Sequence, residues 1–124
     1  MTCLRGASAV ADVLKKRPEA PARVLVVWMP VLPTDWGSPS PSLTSFVGDV
    51  RAIHFWDRGR RLSSMLGGPG ATLASQSKIE FRMKDVVWDV ALVYPPGAKW
   101  GEHAAVALAP VVDFGDDLEA AIAR

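Results

Sequence analysis

The sequence predicts an α/β fold, and three observations carry that reading. Arg23-Val24-Leu25-Val26-Val27-Trp28-Met29 is an unbroken apolar, β-branched run, the pattern of a strand covered on both faces at the centre of a parallel sheet. It follows a segment with helical periodicity, in which Ala7, Val10, Ala11 and Leu14 recur on one side. Further strand-like runs alternate with cap-and-helix patterns to the end of the chain, which is the order of an α/β domain.

Taken in order, Thr2 caps the first helix, Lys15, Lys16 and Arg17 place positive charge at its C-terminal end, and Pro18 stops it. The buried strand comes next. Residues 30–41, PVLPTDWGSPSP, hold four prolines and Gly37, so neither a helix nor a central strand runs through them, and they form a long surface loop. Ser42 caps a short helix reaching Val50, and Ala52-Ile53-His54-Phe55-Trp56 is a second strand. Asp57 caps a helix over 58–66, which Gly67-Gly68-Pro69-Gly70 terminates. Within 71–84, Ile79, Phe81 and Met83 alternate with charged residues as in an edge strand. Asp85 to Tyr94 reads as a strong strand, Pro95-Pro96-Gly97 as a turn, and Ala104 to Val112 as the return strand or a packed loop. Asp116 and Asp117 open a last helix through Ile122.

Composition narrows the function classes. The 124 residues are 49% hydrophobic and 22% charged, a single core-forming domain over 1–124. Fourteen basic residues against thirteen acidic ones give a net charge of +1 without clustering, so nucleic acid is not an expected partner. No apolar run reaches the roughly 18–20 residues needed to span a bilayer, and the start lacks a secretory signal pattern. The single cysteine excludes an internal disulfide framework, and together these points predict a cytoplasmic protein.

Few side chains carry a chemical signal. Cys3 at a helix start with Arg5 nearby has the electropositive setting that favours a thiolate, weighed against an inert residue near a chain terminus. His54, His103, Asp57 and Glu102 lack metal-ligand spacing, so no metal site and no cofactor are expected, and His54 reads as a hydrogen-bonded residue of its strand. Gly67 to Gly70 follow a helix rather than opening one, so they are not a phosphate cradle. Of the five tryptophans, Trp36 and Trp88 fall at element ends, where open α/β folds bind ligands, although core filling accounts for any one of them more simply.

The order of elements resembles the thioredoxin-like fold, especially its peroxiredoxin-type and cytochrome-maturation-type branches, and three stretches carry the resemblance. Thr2-Cys3-Leu4-Arg5 looks like the end of a redox-motif turn feeding a helix. Residues 52–57, AIHFWD, followed by Arg60-Arg61-Leu62, resemble a strand-Asp-helix segment of those branches. Trp88-Asp89-Val90-Ala91-Leu92-Val93-Tyr94-Pro95-Pro96-Gly97 resembles the strand and glycine turn after the family's cis-proline. The phrases VVWMPVLPTDW and HFWD are also similar to those of bacterial thioredoxin-like proteins.

The resemblance implies a three-layer α/β/α domain with a central mixed sheet, here without its first strand. It also implies thiol-disulfide exchange with protein or small-molecule thiols and disulfides. Cys3 is then the only redox residue, with Trp36, Trp88 and Asp89 lining the substrate site. Two departures stand against this pattern: Gly6 occupies the position three after Cys3, so there is no Cys-x-x-Cys, and the cis-proline position falls near Asp89. The absent strand leaves three alternatives: a coding start further upstream, another segment filling the gap, or a homodimer joined through an exposed sheet edge. The rival to an oxidoreductase is a catalytically silent thioredoxin-like domain that binds or dimerises.

Overall fold

The computed structural model describes residues 2–30, 37–66, 73–80, 87–99 and 102–123. The elements run α1 (Thr2–Lys16), β1 (Val24–Trp28), α2 (Pro41–Thr44), β2 (Ala52–Trp56), α3 (Arg61–Leu66), β3 (Ala74–Ile79), β4 (Ala91–Val93), β5 (Ala104–Ala109) and α4 (Gly115–Ile122). Single 3-10 turns, Ser45–Val47 and Val111–Phe114, follow α2 and precede α4. The fold is therefore mixed α/β.

Two small sheets replace the single central sheet that the sequence predicts. β1 and β2 pair in parallel, with Leu25 opposite Ile53 and Val27 opposite Phe55. The second sheet has the order β3-β5-β4, with β3 parallel and β4 antiparallel to β5. β5 is the strand with a partner on both sides, and Ala104, Ala107, Leu108 and Ala109 are buried on it.

The main core joins α1, β5 and α4. Val13, Leu108, Val111 and Leu118 pack together, with Val10, Val93, Phe114 and Ile122 around them. A smaller cluster of Ala74, Ala104 and Ala107 with Leu73, Val90 and Leu92 lies within the second sheet. The alanines let β3 and β5 lie against their cover closely, but they contribute little apolar area, since fully burying a Val or Leu is worth about 1.5–3 kcal/mol and an alanine much less.

Several local expectations change. β1 spans the predicted run, but it is not a sheet centre: it has one partner strand among the described residues, and Leu25 is 58% exposed. Ser40, not Ser42, caps the short helix, accepting from Leu43 N–H at 3.4 Å, because Pro41 then takes the first helical position where its missing N–H costs nothing. Asp57 caps as expected, accepting from Arg61 N–H at 3.0 Å and Leu62 N–H at 2.8 Å, but α3 starts at Arg61 after a turn in which Arg60 has φ 53. β3 lies earlier than the predicted alternation, and Phe81 and Met83 fall outside the described residues, as does Gly67 to Gly70. β4 keeps three residues of the strong strand predicted over 85–94, because Asp89 turns to φ 49, outside the extended region. The β4–β5 hairpin forms as read, with Gly97 at φ 81 in its connection.

Candidate functional site

Cys3 lies in the first turn of α1, as its position after Thr2 predicts. One turn along on the same side of the helix is Gly6, which is buried. The absent side chain matters here: a Cβ at Gly6 would come within 2.8 Å of Asp89 Oδ1 and 3.4 Å of Val111 Cβ. The glycine is thus what lets the residue-89 turn and the Val111–Phe114 turn close onto the start of α1.

Asp89 is partly buried at this junction. Burial pushes its carboxyl above the ordinary 3.8; a hydrogen bond from Val111 N–H works the other way, and the Asp113 charge raises it further. Its Oδ2 is buried and has no hydrogen-bond partner. A carboxylate held in this way has one satisfied and one unsatisfied oxygen, beside the helix turn that carries the only thiol of the sequence.

An open groove of about 620 Å³ runs along α1 from Leu4 and Arg5, the residues next to Cys3, to Asp12 and Lys16. Phe46, Val112 and Asp116 close its other side. Its floor is apolar and its rim carries both signs of charge, so it suits a polypeptide segment better than a compact anion.

Of the four site residues that the sequence nominates, the fold brings Asp89 to the helix of Cys3. Trp88, next to Asp89, is partly buried. Trp36 lies outside the described residues. The position expected to match a cis-proline holds Asp89 in a left-handed conformation, and among the described residues the cis peptide bond is Ala109–Pro110, directly before Val111. That bond is one residue from the Val111–Phe114 turn packed on α1.

Two polar arrangements lie outside the junction: one ties the first sheet to the Ser45–Val47 turn, and the other ties the residue before β2 to the end of α1. Trp28 Nε1–H donates to His54 Nδ1 at 2.9 Å, and His54 Nε2 lies 2.9 Å from the Val47 carbonyl. Since the indole only donates and the carbonyl only accepts, His54 carries its proton on Nε2 and both ring nitrogens are occupied. The sequence reading of His54 as a hydrogen-bonded strand residue holds. Arg51, which sequence reasoning missed, donates to the carbonyls of Leu14, Arg17 and Ala20 at 2.8–2.9 Å and to both oxygens of Asp49. The signal available was an Asp-x-Arg spacing, which is too common to single out. Among the described residues, no group of three or more His, Cys, Asp or Glu side chains converges as a metal site would require. No described helix is long and apolar enough to cross a membrane.

Compared with known proteins, the chain matches no family model, no curated protein and no solved structure.

Proposed function

We propose that this chain is a thioredoxin-like domain that exchanges thiols and disulfides through Cys3. The observation that supports it most is the meeting of the first turns of α1 with the half-satisfied carboxylate of Asp89. In the exchange, the Cys3 thiolate attacks one sulfur of a disulfide. A new S–S bond forms as the old one breaks, and the departing thiolate takes up a proton. The helix N-terminus and Arg5 favour the thiolate, and the Asp89 charge, held against the same helix at Gly6, opposes it. With one cysteine in the sequence, an external thiol resolves the mixed disulfide. The groove that begins at Leu4 and Arg5 has room for the protein segment bearing the target disulfide. A lone thiol working in this way belongs in a reducing compartment such as the cytoplasm.

The test is the rate at which iodoacetamide alkylates Cys3 across pH, read by mass spectrometry, for the wild type and Asp89→Asn. Cys3 should react faster than glutathione at neutral pH, and the variant's profile should move to lower pH because a negative charge has been removed. A wild-type rate no faster than glutathione's overturns the proposal.

The open edge and apolar face of β1–β2 favour a second reading, a binding or dimerisation domain without chemistry. Under it, Cys3→Ser changes no thiol assay, and light scattering of a dimer would support pairing of two copies.

A further inference from the structure

We infer that the open face and edge of β1–β2 take up an extended, acid-flanked apolar segment of another protein as an added strand; this rests on the binding reading above and names its partner. Parallel sheets are normally covered on both faces. Here Leu25 faces the same way as Ile53, and Val27 as Phe55, by register and pleat. Leu25 is 58% exposed and Ile53 and Phe55 are each 48% exposed. This face is not partnered among the described residues.

The backbone indicates which edge is open. Val24 N–H donates to the Arg51 carbonyl at 3.0 Å and Asp57 N–H to the Trp28 carbonyl at 2.7 Å. In a parallel ladder every second residue of a strand faces its partner, so Val24, Val26 and Trp28 engage β2 and the peptide groups of Leu25 and Val27 turn outward. The far edge of β2 is already occupied at its start, where Ala52 N–H donates to the Asp49 carbonyl at 3.0 Å. Among the described residues β1 is thus the edge left free along its length, and strand addition belongs to it.

Charge selects the partner. Arg23 precedes β1, and Arg58, Arg60 and Arg61 follow β2; all four are exposed and make no ion pair among the described residues. Neither strand contains an acidic residue. The nearest ones are committed, Asp49 to Arg51 and Asp57 to the start of α3. Both ends of the ribbon are thus basic around an apolar centre, and the complement is an apolar strand with acidic ends. Size also argues for a strand rather than a second folded copy. Four partly exposed side chains make a patch on the order of 300 Å², whereas a standard interface buries about 800 Å² on each partner.

The probes are fluorescent peptides of about eight residues: Glu-Glu-Val-Thr-Val-Thr-Glu-Glu, its Lys-flanked counterpart, and an acidic version N-methylated at alternate amides. Binding to the full chain is read by anisotropy. The acidic peptide should bind at least about tenfold tighter than the Lys-flanked one, and the N-methylated peptide should not bind, since it cannot complete the ladder. Leu25→Lys and the pair Arg58→Glu and Arg61→Glu should each weaken the acidic peptide by a similar factor, with circular dichroism verifying that the variants fold. Equal binding of the acidic and Lys-flanked peptides, or undiminished binding of the N-methylated one, overturns the assigned partner while leaving the binding reading in place. A dimer abolished by Leu25→Lys, with no peptide bound, gives the face to a second copy and also overturns it. A monomer that binds none of the peptides overturns both.

Discussion

Gly6 and Asp89 are two halves of one contact, and each accounts for the other. Alanine at position 6 favours a helix by about 1 kcal/mol over glycine, yet its Cβ would lie 2.8 Å from Asp89 Oδ1. Gly6→Ala is therefore expected to destabilise the protein, and adding Asp89→Ala should recover part of the loss in a double-mutant cycle of denaturant unfolding. Independent, additive losses would show that the contact is not what constrains position 6.

The same carboxylate gives a pH dependence with a definite sign. Because burial raises the Asp89 carboxyl above 3.8, the folded state holds this proton more tightly than the unfolded chain does. Its contribution is fully present below 3.8 and is lost as pH rises through the raised value. At neutral pH the charge is a cost, so Asp89→Asn, which tolerates a positive φ, should stabilise the protein modestly, since the carboxyl is only partly buried. The gain should vanish below pH 3.8. An equal effect at both pH values would contradict this account.

At the scale of elements, the C-terminal end of α1 is held by a residue from elsewhere in the chain. Arg51 reaches the carbonyls of Leu14 and Arg17 at the end of α1, where a helix leaves carbonyls without intrahelical partners, and of Ala20 in the turn beyond it. It thereby couples α1 to the turn that enters β2. Its hydrogen bonds hold the Asp49 carboxyl at about 2, below the ordinary 3.8. This contribution has the opposite sign to that of Asp89: it is present above 3.8 and is lost as pH falls toward about 2. Arg51→Lys cannot reproduce the fork that reaches three carbonyls and a carboxylate. Thermal unfolding should show both Arg51→Lys and Arg51→Ala lowered by several degrees at neutral pH; a Lys variant matching the wild type would show that charge alone suffices.

For the whole molecule, stability is unevenly distributed. β5 is paired on both sides and buried, and α1 and α4 cover it through Val13, Leu108 and Leu118. Among the described residues, β1–β2 has one open edge and one exposed apolar face. Amide hydrogen exchange should therefore be slowest in Ala104–Ala109 and fast at Leu25 and Val27, whose N–H groups face outward. Uniform protection across both sheets would show that β1 is covered in solution. Leu108→Ala, which empties a fully buried position, should cost about 2–5 kcal/mol.

The α/β class, the bounds of β2 and, to within one residue at each end, of β1, the cap by Asp57 and the β4–β5 hairpin were legible in the sequence. Each rests on local chemistry: β-branched runs, a side-chain acceptor before a helix, and a Pro-Pro-Gly turn. The candidate site was legible in part, since Cys3 and Asp89 were both named but for different reasons. That Asp89 lies against α1 depends on Gly6, whose role is to leave space, and space has no sequence signature. Arg51 escaped notice because a helix end 31–37 residues away supplies its partners. By itself, the sequence determined α1, β1, β2, the helix after Asp57 and α4, because cap, turn and periodicity act over a few residues, while β3 and β4 fell elsewhere than their local patterns predicted. Only the tertiary structure decided that the strands form two sheets rather than one, that an apolar run predicted to be covered on both faces is open on one, and that a carboxylate lies against the helix of the single thiol. Those outcomes depend on which distant surfaces meet, and hydrophobicity, being non-directional, does not specify that.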